Sequence, residues 1–304
     1  MILFSSPRFG HHVPPPGHPE RPERAGVFDR VAEAWRQQGG AVIEPREAAR
    51  EELARVHTSA YLDEIAATQG RATMLDADTF TSTETHEVAL LAAGAAVEAA
   101  RHAFATGEPA LALVRPPGHH AESDRAMGFC FYNNIAVAAA ALRAGGAGRV
   151  AIVDIDVHHG NGTQNSFYND PTVLYVSSHQ FPYYPGTGAR DEIGTGAGEG
   201  YTVNIPLDAG ATDADVEQAY RTIVIPTIDT FQPDAMLISA GFDAHERDPL
   251  GGLRVTTAGY GRLVTMLHDA AVRLCGRRIA FVTEGGYDLL ALHECLQATI
   301  DVVR

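Results

Sequence analysis

Cysteine is scarce in this chain, with three residues among 304. Cys130, Cys275 and Cys295 are odd in number, and none belongs to a Cys-x-x-Cys pair. This usage excludes a disulfide framework and a cysteine-rich zinc site. We therefore expect the protein to occupy a reducing compartment.

Basic charge and long apolar runs are scarce as well. The 23 Lys and Arg residues face 38 Asp and Glu residues, which gives a net charge of -15. Binding to nucleic acid requires clustered Lys and Arg that replace phosphate counterions, so we expect no nucleic-acid partner. No stretch approaches the roughly 20 apolar residues of a membrane span, and the first residues lack a basic targeting segment. We expect a cytoplasmic protein that does not enter a membrane.

Short apolar, β-branched runs alternate with helical patterns along the whole chain. This alternation predicts a mainly parallel β-sheet with helices on both faces. No linker-like stretch interrupts it, so residues 1–304 are predicted to form a single α/β domain. The predicted strands span residues 2–4, 41–43, 110–114, 149–153, 172–176, 201–205, 235–239 and 278–282. Helices are predicted from residue 22 to the glycines at 39 and 40 and over residues 51–68, 86–104 and 133–144, whereas residues 76–82 break the helical period.

Polar side chains follow the central predicted strand at alternate positions. In an extended chain Asp154, Asp156 and His158 project to one side. Asp243 follows another predicted strand, and the carboxyl ends of parallel strands meet at one edge of a sheet. Asp156, His158 and Asp243 therefore predict a site for one metal ion with open coordination positions. Such a site is typical of catalytic Zn²⁺, although Fe²⁺ or Co²⁺ would also fit these ligands.

Two adjacent histidines follow the strand predicted at 110–114. A Pro-Pro-Gly turn precedes His119 and His120 and can present both imidazoles to one cavity. Imidazole suits proton transfer near neutral pH, and each ring needs a partner on its second nitrogen. Asp154 and Asn161 are available for that purpose. Beside a metal-binding loop, this pair predicts acid and base catalysis.

Three aromatic residues lie in glycine-rich loops. Tyr287 follows two glycines that would let its phenol approach the metal and stabilise an oxyanion, although an ordinary half-buried tyrosine fits the local pattern equally well. Phe129 after Gly128, together with Tyr184, could form the walls of a narrow channel for an apolar chain. Packing in the core is the competing explanation for both rings.

Six segments together carry a resemblance to a known family. They resemble the zinc-dependent histone deacetylase superfamily, and most closely its class II members and the bacterial histone deacetylase-like amidohydrolases. The resemblance implies an arginase/deacetylase fold and removal of an acetyl or other acyl group from an N-acylated amine such as acetyl-lysine. It also implies one zinc ion on the three ligands named above, with His119 and His120 as the catalytic pair and Tyr287 polarising the carbonyl. The segments are HPERPER at 18–24, RPPGHHAE at 115–122, GFCFYNN at 128–134, DIDVHHGNGT at 154–163, SAGFDA with DPLG between 239 and 251, and EGGY at 284–287.

The resemblance further implies a structural K⁺ or Na⁺ ion close to the central loop. Its matching ligands are the side chains of Asp154, Asp156 and Ser177 and the main-chain oxygen of His158. A second monovalent ion would bind the backbone in the segment that follows the central loop. The positions concerned in that segment are Phe167, Asp170 and Val173.

The resemblance also places a polar residue at the mouth of the substrate channel. Asp78 is the expected residue, with Asp76 or Ser82 as alternatives. Acidic groups at the mouth, including Glu246, would suit a rival function as an acetylpolyamine amidohydrolase. Leu250 argues against that rival, because a polyamine-selective relative can carry a glutamate at this position.

Two more distant functions stay open. An arginase-like ureohydrolase would need a second metal ion and more carboxylates, whereas the central loop supplies Asn161. A non-catalytic module that binds acyl-lysine would not need the two histidines and Tyr287. The sequence leaves the oligomeric state open.

Overall fold

The computed structural model describes all 304 residues, which form ten strands and ten α-helices. Eight strands make one sheet, and every neighbouring pair in it is parallel. The strands are β1 (Ile2–Phe4), β2 (Ala41–Ile43), β3 (Met74–Asp76), β4 (Thr79–Phe80), β5 (Ala110–Ala112), β6 (Val150–Asp154), β7 (Val173–Gln180), β8 (Thr202–Leu207), β9 (Ala235–Ala240) and β10 (Ile279–Thr283). All eight predicted strands are present, and the predicted α/β fold is confirmed.

Helices cover both faces of the sheet, as the alternation of elements predicts. Glycines in the left-handed conformation end the two longest helices, at Gly107 and Gly276. The helices are α1 (Glu23–Gln37), α2 (Arg50–Leu53), α3 (Ser59–Ala66), α4 (Thr85–Thr106), α5 (Asn134–Ala144), α6 (Asn161–Phe167), α7 (Asp213–Ala219), α8 (Ile225–Phe231), α9 (Thr257–Cys275) and α10 (Leu289–Val303).

The core consists of two apolar layers of nearly equal size, with 43 and 42 buried residues. Alternate residues of a strand enter opposite layers, so Ile2 and Phe4 join one layer and Leu3 the other. The alanine-rich helices α4 and α5 pack in the first layer, and α9 and α10 pack in the second. Both faces of the sheet are therefore buried, as a parallel sheet requires.

Helix α4 corrects one expectation. By length and composition its 22 residues could cross a membrane, although no such segment is expected from the sequence. In the fold, 67% of its most apolar window is buried, and the helix packs on α5, β5 and β10. A buried core helix passes the same test of length and composition, so α4 is weak evidence for a membrane span.

One further segment differs from the prediction. Residues 51–68 do not form one helical region, because Thr58 ends the preceding turn and caps α3 by accepting a hydrogen bond from the Tyr61 amide. Residues 76–82 interrupt the helical pattern as predicted, and β3 and β4 pair there as an antiparallel hairpin. The tip of this hairpin carries Asp78.

The order of strands brings the functional loops together. Across the sheet the order is β2-β1-β5-β10-β9-β6-β7-β8, so β5, β10, β9 and β6 are four consecutive neighbours. These are the strands whose carboxyl ends lead to the histidine pair, Tyr287, Asp243 and the central loop. Residues from four distant parts of the chain therefore meet at one edge of the sheet.

Candidate active site

Three potential metal ligands converge beyond the ends of β6 and β9. Ligand atoms of Asp156, His158 and Asp243 all lie within 4.8 Å of one another. His158 Nδ1 lies 3.1 Å from Asp156 Oδ1 and 3.2 Å from Asp243 Oδ2. Ligand atoms at tetrahedral positions about 2.0 Å from a metal would be about 3.3 Å apart. The spacing of these atoms therefore fits a small divalent ion.

Backbone groups fix the two carboxylates in place. The second oxygen of Asp156 accepts a hydrogen bond from the Gly285 amide at 2.9 Å, and that of Asp243 accepts one from the Val157 amide at 2.8 Å. A Cβ atom at Gly285 would lie 2.0 Å from Asp243 Oδ2, so only glycine permits this close approach of β10 to the ligands. Each carboxylate thus keeps one oxygen directed toward His158.

The charge of this cluster also calls for a cation. Asp156 and Asp243 are fully buried. Burial and the negative charge of Asp156 raise the pKa of Asp243 to about 7. Two buried carboxylates this close resist ionisation together unless a positive charge compensates them. The imidazole of His158, whose pKa these carboxylates raise well above its ordinary value against the effect of burial, can supply that charge, and so can a bound metal ion. The donor set, two oxygens and one nitrogen, fits Zn²⁺, and it also fits Fe²⁺ or Co²⁺.

The two predicted histidines face the same cavity, with ring centroids 4.1 Å apart. His119 Nδ1 lies 3.0 Å from Asp154 Oδ2, and His120 Nδ1 lies 2.8 Å from Asn161 Oδ1. Both orienting partners are those expected from the sequence. In each ring the hydrogen-bonded Nδ1 leaves Nε2 as the nitrogen available for proton transfer.

The surroundings give the two histidines opposite electrostatic properties. Burial opposes protonation of His119, but the charges of Asp156 and Asp154 raise its pKa to about 10. Burial, together with the charges of His119 and His158, lowers the pKa of His120 well below its ordinary value. These shifts favour the positively charged form of His119 and the neutral form of His120, whose Nε2 can accept a proton.

Tyr287 lines the same cavity and is held from three sides. Its backbone amide donates to Asp248 Oδ2 at 2.6 Å, and the guanidinium of Arg24 lies 5.0 Å from its ring centroid. The Phe129 ring packs edge-on against it at 5.9 Å. Burial raises the pKa of Tyr287 well above its ordinary value, although Arg24 opposes the shift. The phenol therefore keeps its proton at neutral pH and can donate a hydrogen bond.

A cavity of about 170 Å³ leads to His158, one of the three candidate metal ligands. All five residues expected to line a substrate channel border it, namely Phe129, Tyr184, Gly128, Leu250 and Asp78. The Tyr184 ring packs edge-on against His120 at 5.1 Å. The Tyr184 ring therefore lies in the wall of the cavity and not in the core, and its side chain is partly exposed.

Phe129 has a left-handed backbone conformation, with φ of 69°. This conformation is strained for a residue with a bulky side chain. Its amide donates to Thr79 Oγ1 at 3.1 Å, and the His18 ring packs against it at 4.7 Å. The preceding Gly128 is required sterically, because a Cβ atom there would lie 2.4 Å from His120 Cδ2. The hairpin β3–β4 and the loop before α1 therefore fix this wall.

The side chains expected to bind a monovalent ion lie together in the sheet. Asp154 and Ser177 are register partners on β6 and β7, and both are fully buried. Asp154 Oδ1 accepts a hydrogen bond from the Asp156 amide at 3.2 Å, and Ser177 Oγ lies 2.8 Å from His179 Nδ1. Asp154 thus lies between the histidine pair and this second polar group.

Several residues that shape the site have no role assigned from the sequence. Glu284 accepts hydrogen bonds from the amides of Gly118 and His119, at 2.6 and 3.1 Å, and so fixes the histidine loop. Arg24 donates to the carbonyl oxygens of Gly286 and Glu284. Tyr183 stacks on His158 with ring centroids 5.6 Å apart. The HPERPER segment at 18–24 contains Arg24 and is the available signal for it, whereas no pattern marks Tyr183.

The alternative residues for the channel mouth do not border the cavity. Asp76 and Glu246 are absent from its lining. Ser82 instead interacts with the Val13 amide and with Thr85. Of the three residues considered for this role, Asp78 is the one that lines the cavity.

Comparisons with known proteins agree with this geometry. The family model described as histone deacetylase domain matches residues 18–303. Histone deacetylase 15 of Arabidopsis thaliana is 44% identical over 295 residues, which cover 94% of this chain and 52% of that protein. A probable deacetylase of Archaeoglobus fulgidus is 41% identical over 282 residues, which cover 91% of this chain and 79% of that protein.

A solved structure is similar over the whole chain. The crystal structure of the HDA15 HD domain aligns with a TM-score of 0.95 and 41% sequence identity, and it covers 100% of this chain and 90% of that chain. The chain spans about half the length of the full plant relative, at 52%. The similarity therefore concerns the deacetylase domain.

Proposed function

The chain belongs to the histone deacetylase family, and so to the hydrolases that act on amide bonds, and we propose that it removes acetyl groups from N-acylated amines such as acetyl-lysine. The observation that carries the proposal is that the histidine pair, His158 and Tyr287 all border the same cavity. Its products would be acetate and a free amine.

We assign one Zn²⁺ per chain to Asp156, His158 and Asp243, with Fe²⁺ or Co²⁺ as alternatives. When bound, such an ion would act as a Lewis acid and make water a nucleophile near neutral pH. The buried carboxylates and their spacing support this assignment.

The side chains around the cavity would divide the proton transfers between them. His120, oriented by Asn161, would accept a proton from the attacking water through Nε2 and return it to the leaving amine. His119, paired with Asp154, would keep its positive charge and stabilise negative charge in the transition state. The phenol of Tyr287 would donate a hydrogen bond to the carbonyl oxygen of the substrate.

A structural K⁺ or Na⁺ is assigned to Asp154, Asp156, Ser177 and the main-chain oxygen of His158. The full burial of Asp154, Asp156 and Ser177 supports this assignment, because buried carboxylates need compensating charge. A second monovalent ion on the backbone of residues 167–173 is a weaker part of the proposal.

The shape of the cavity favours a slim substrate. Aromatic walls at Phe129 and Tyr184 would hold the methylene chain of a lysine, and Asp78 at the mouth would accept hydrogen bonds from the flanking peptide. An acetylpolyamine is the second substrate class, favoured by Asp78 and by the net charge of -15. Leu250 places an apolar group where a carboxylate would help to bind a polyamine. Acetyl-lysine is therefore the preferred substrate.

We place the protein in the cytoplasm, on the evidence of three cysteines that are all free and buried. The excess of acidic residues supports a partner that is a small molecule or a peptide rather than a nucleic acid.

A panel of substrates tests the proposed function. The zinc-loaded protein would be assayed with acetyl-lysine peptides, acetylated polyamines and lysine peptides with longer acyl groups. The proposal predicts the highest kcat/KM on an acetyl-lysine peptide. A higher kcat/KM on acetylpolyamines would contradict acetyl-lysine as the preferred substrate. Inactivity on every acylated amine would contradict the proposed deacetylase activity itself.

A further inference from the structure

The side-chain amide of Asn161 can face His120 in two orientations that are not equivalent, whereas the two oxygens of an aspartate would be equivalent. Its side chain carries one hydrogen-bond acceptor and one donor, whereas both oxygens of a carboxylate accept. His120 Nδ1 must meet the acceptor if the opposite nitrogen, Nε2, is to stay free of a proton. Some other group must therefore determine which end of the Asn161 amide faces His120.

Glu122 supplies that group. Asn161 Nδ2 donates a hydrogen bond to Glu122 Oε1, while Asn161 Oδ1 lies 2.8 Å from His120 Nδ1. The other atoms near Nδ2 are the His120 carbonyl oxygen at 3.4 Å and Met127 Sδ at 3.5 Å. All three neighbours can only accept, so the orientation of the amide is determined without ambiguity.

The backbone of Glu122 is held independently of its side chain. Its amide donates to the Arg125 carbonyl at 2.9 Å, and its carbonyl lies 2.9 Å from His57 Nδ1. Its carboxylate also accepts hydrogen bonds from Asn165 Nδ2, at 3.0 and 2.9 Å. Asn161 and Asn165 lie one turn apart on α6, so the carboxylate is in contact with one face of that helix. Substitution of this side chain should leave the loop in place.

On the premise of the proposed deacetylase function, we propose that Glu122 is a positioning residue that acts through Asn161 to keep Nε2 of His120 unprotonated. The hydrogen-bonded series from Glu122 through Asn161 to His120 then has the same role as the direct pair of Asp154 and His119. A carboxylate orients each histidine, in one case directly and in the other through an amide.

The first test measures which nitrogen of His120 carries the proton. In the zinc-loaded protein with ¹⁵N-labelled histidine, NMR should show Nδ1 protonated and Nε2 unprotonated in the wild type. Glu122→Ala leaves Asn161 Nδ2 only its two long contacts, with the His120 carbonyl at 3.4 Å and Met127 Sδ at 3.5 Å. The amide can then rotate, so a population with the proton on Nε2 should appear. Identical proton positions in the two proteins would overturn the proposal. This measurement does not depend on turnover, so it decides the question even if no acylated amine is a substrate.

The second test uses kinetics with an acetyl-lysine peptide. Glu122→Ala should lower kcat by about 10- to 100-fold with little change in KM, which is the usual effect of losing an outer partner of a catalytic group. Glu122→Gln retains an acceptor for Asn161 Nδ2 and should restore most of kcat. Asp124→Ala removes an exposed charge from the same loop and is the matched control, with an expected effect below about twofold. Equal losses in the Ala and Gln variants, or in the control, would contradict the proposed role.

A double-mutant cycle separates positioning from simple structural support. Asn161→Asp presents an acceptor to His120 in either orientation, so Glu122 then has nothing to orient. In the wild-type background, Glu122→Ala should therefore lower kcat at least tenfold. In the Asn161→Asp background, the same substitution should lower kcat by no more than about twofold. The same loss in both backgrounds would show that Glu122 only supports α6.

Discussion

Replacement of Tyr287 by Phe removes one oxygen atom from the candidate site. The Tyr287 hydroxyl makes no hydrogen bond with the protein, whereas its ring packs against Arg24 and Phe129 and its amide binds Asp248. All three of these contacts survive in Phe. We therefore expect the free energy of unfolding to change by less than about 1 kcal/mol, because no internal hydrogen bond is lost.

The effect on catalysis should be much larger. Loss of one donor to a developing oxyanion costs about 10²- to 10³-fold in kcat, which corresponds to about 2.7–4 kcal/mol. In the proposed role the phenol would act mainly in the transition state, so KM for an acetyl-lysine peptide should change little. Turnover would be measured as acetate release, and the zinc content of each protein would be measured in parallel.

Tyr201→Phe is the matched control for this substitution. Tyr201 lies just before β8, at the opposite edge of the sheet, and its hydroxyl also makes no hydrogen bond with the protein. The control should keep full activity. Full activity in Tyr287→Phe as well would refute the assigned role, and loss of zinc from that variant would show that the tyrosine supports the metal site instead.

Three further substitutions test other parts of the molecule. Asp243→Asn should lower zinc affinity by more than the roughly 10- to 100-fold lost with an outer partner, as measured by competition with a chelator; unchanged affinity would exclude Asp243 as a ligand. Leu250→Glu places a carboxylate on the cavity wall and should raise the ratio of kcat/KM for an acetylpolyamine to that for acetyl-lysine; a constant ratio would mean that this wall does not select substrates. Hydrogen bonds from Arg46 lower the pKa of Glu52 to about 2, against the effect of burial. The ionised Glu52 carboxylate therefore stabilises the fold above about pH 4.5, and this stabilisation is lost as pH falls toward 2. Glu52→Gln should therefore cost about 1–2 kcal/mol in urea unfolding at pH 7, less than the full shift because Arg46 is 40% exposed, and the difference should shrink below pH 4.5; a difference independent of pH would contradict this pairing.

The sheet and the metal ligands could be predicted because local patterns determine them. The six inner strands of the sheet are buried on both faces, and most of them appear as a short apolar run with a polar residue at its end, whereas the edge strands β2 and β8 are partly exposed. The rule that such ends share one edge then brings Asp156 and Asp243 together without knowledge of the strand order. The observed order adds that the strands concerned are consecutive neighbours.

The remaining features depend on contacts between distant segments, which no local pattern records. The hairpin β3–β4 has strands of three and two residues, too short to show alternation. Arg24 contacts Glu284 and Gly286 across more than 250 positions of sequence. Likewise, the contact of Glu122 with Asn161 depends on how the histidine loop lies against α6. Arg24 and Glu122 lie in segments that the sequence singles out, but the sequence does not show which distant residues they contact.

Titration of metal-free protein with Zn²⁺ tests the central claim most directly, with acetate release from an acetyl-lysine peptide as the signal. A site made of Asp156, His158 and Asp243 predicts no turnover in the stripped protein and a rise that ends at one equivalent of zinc per chain. Turnover without metal, or a rise that continues to two equivalents, would contradict the proposed site.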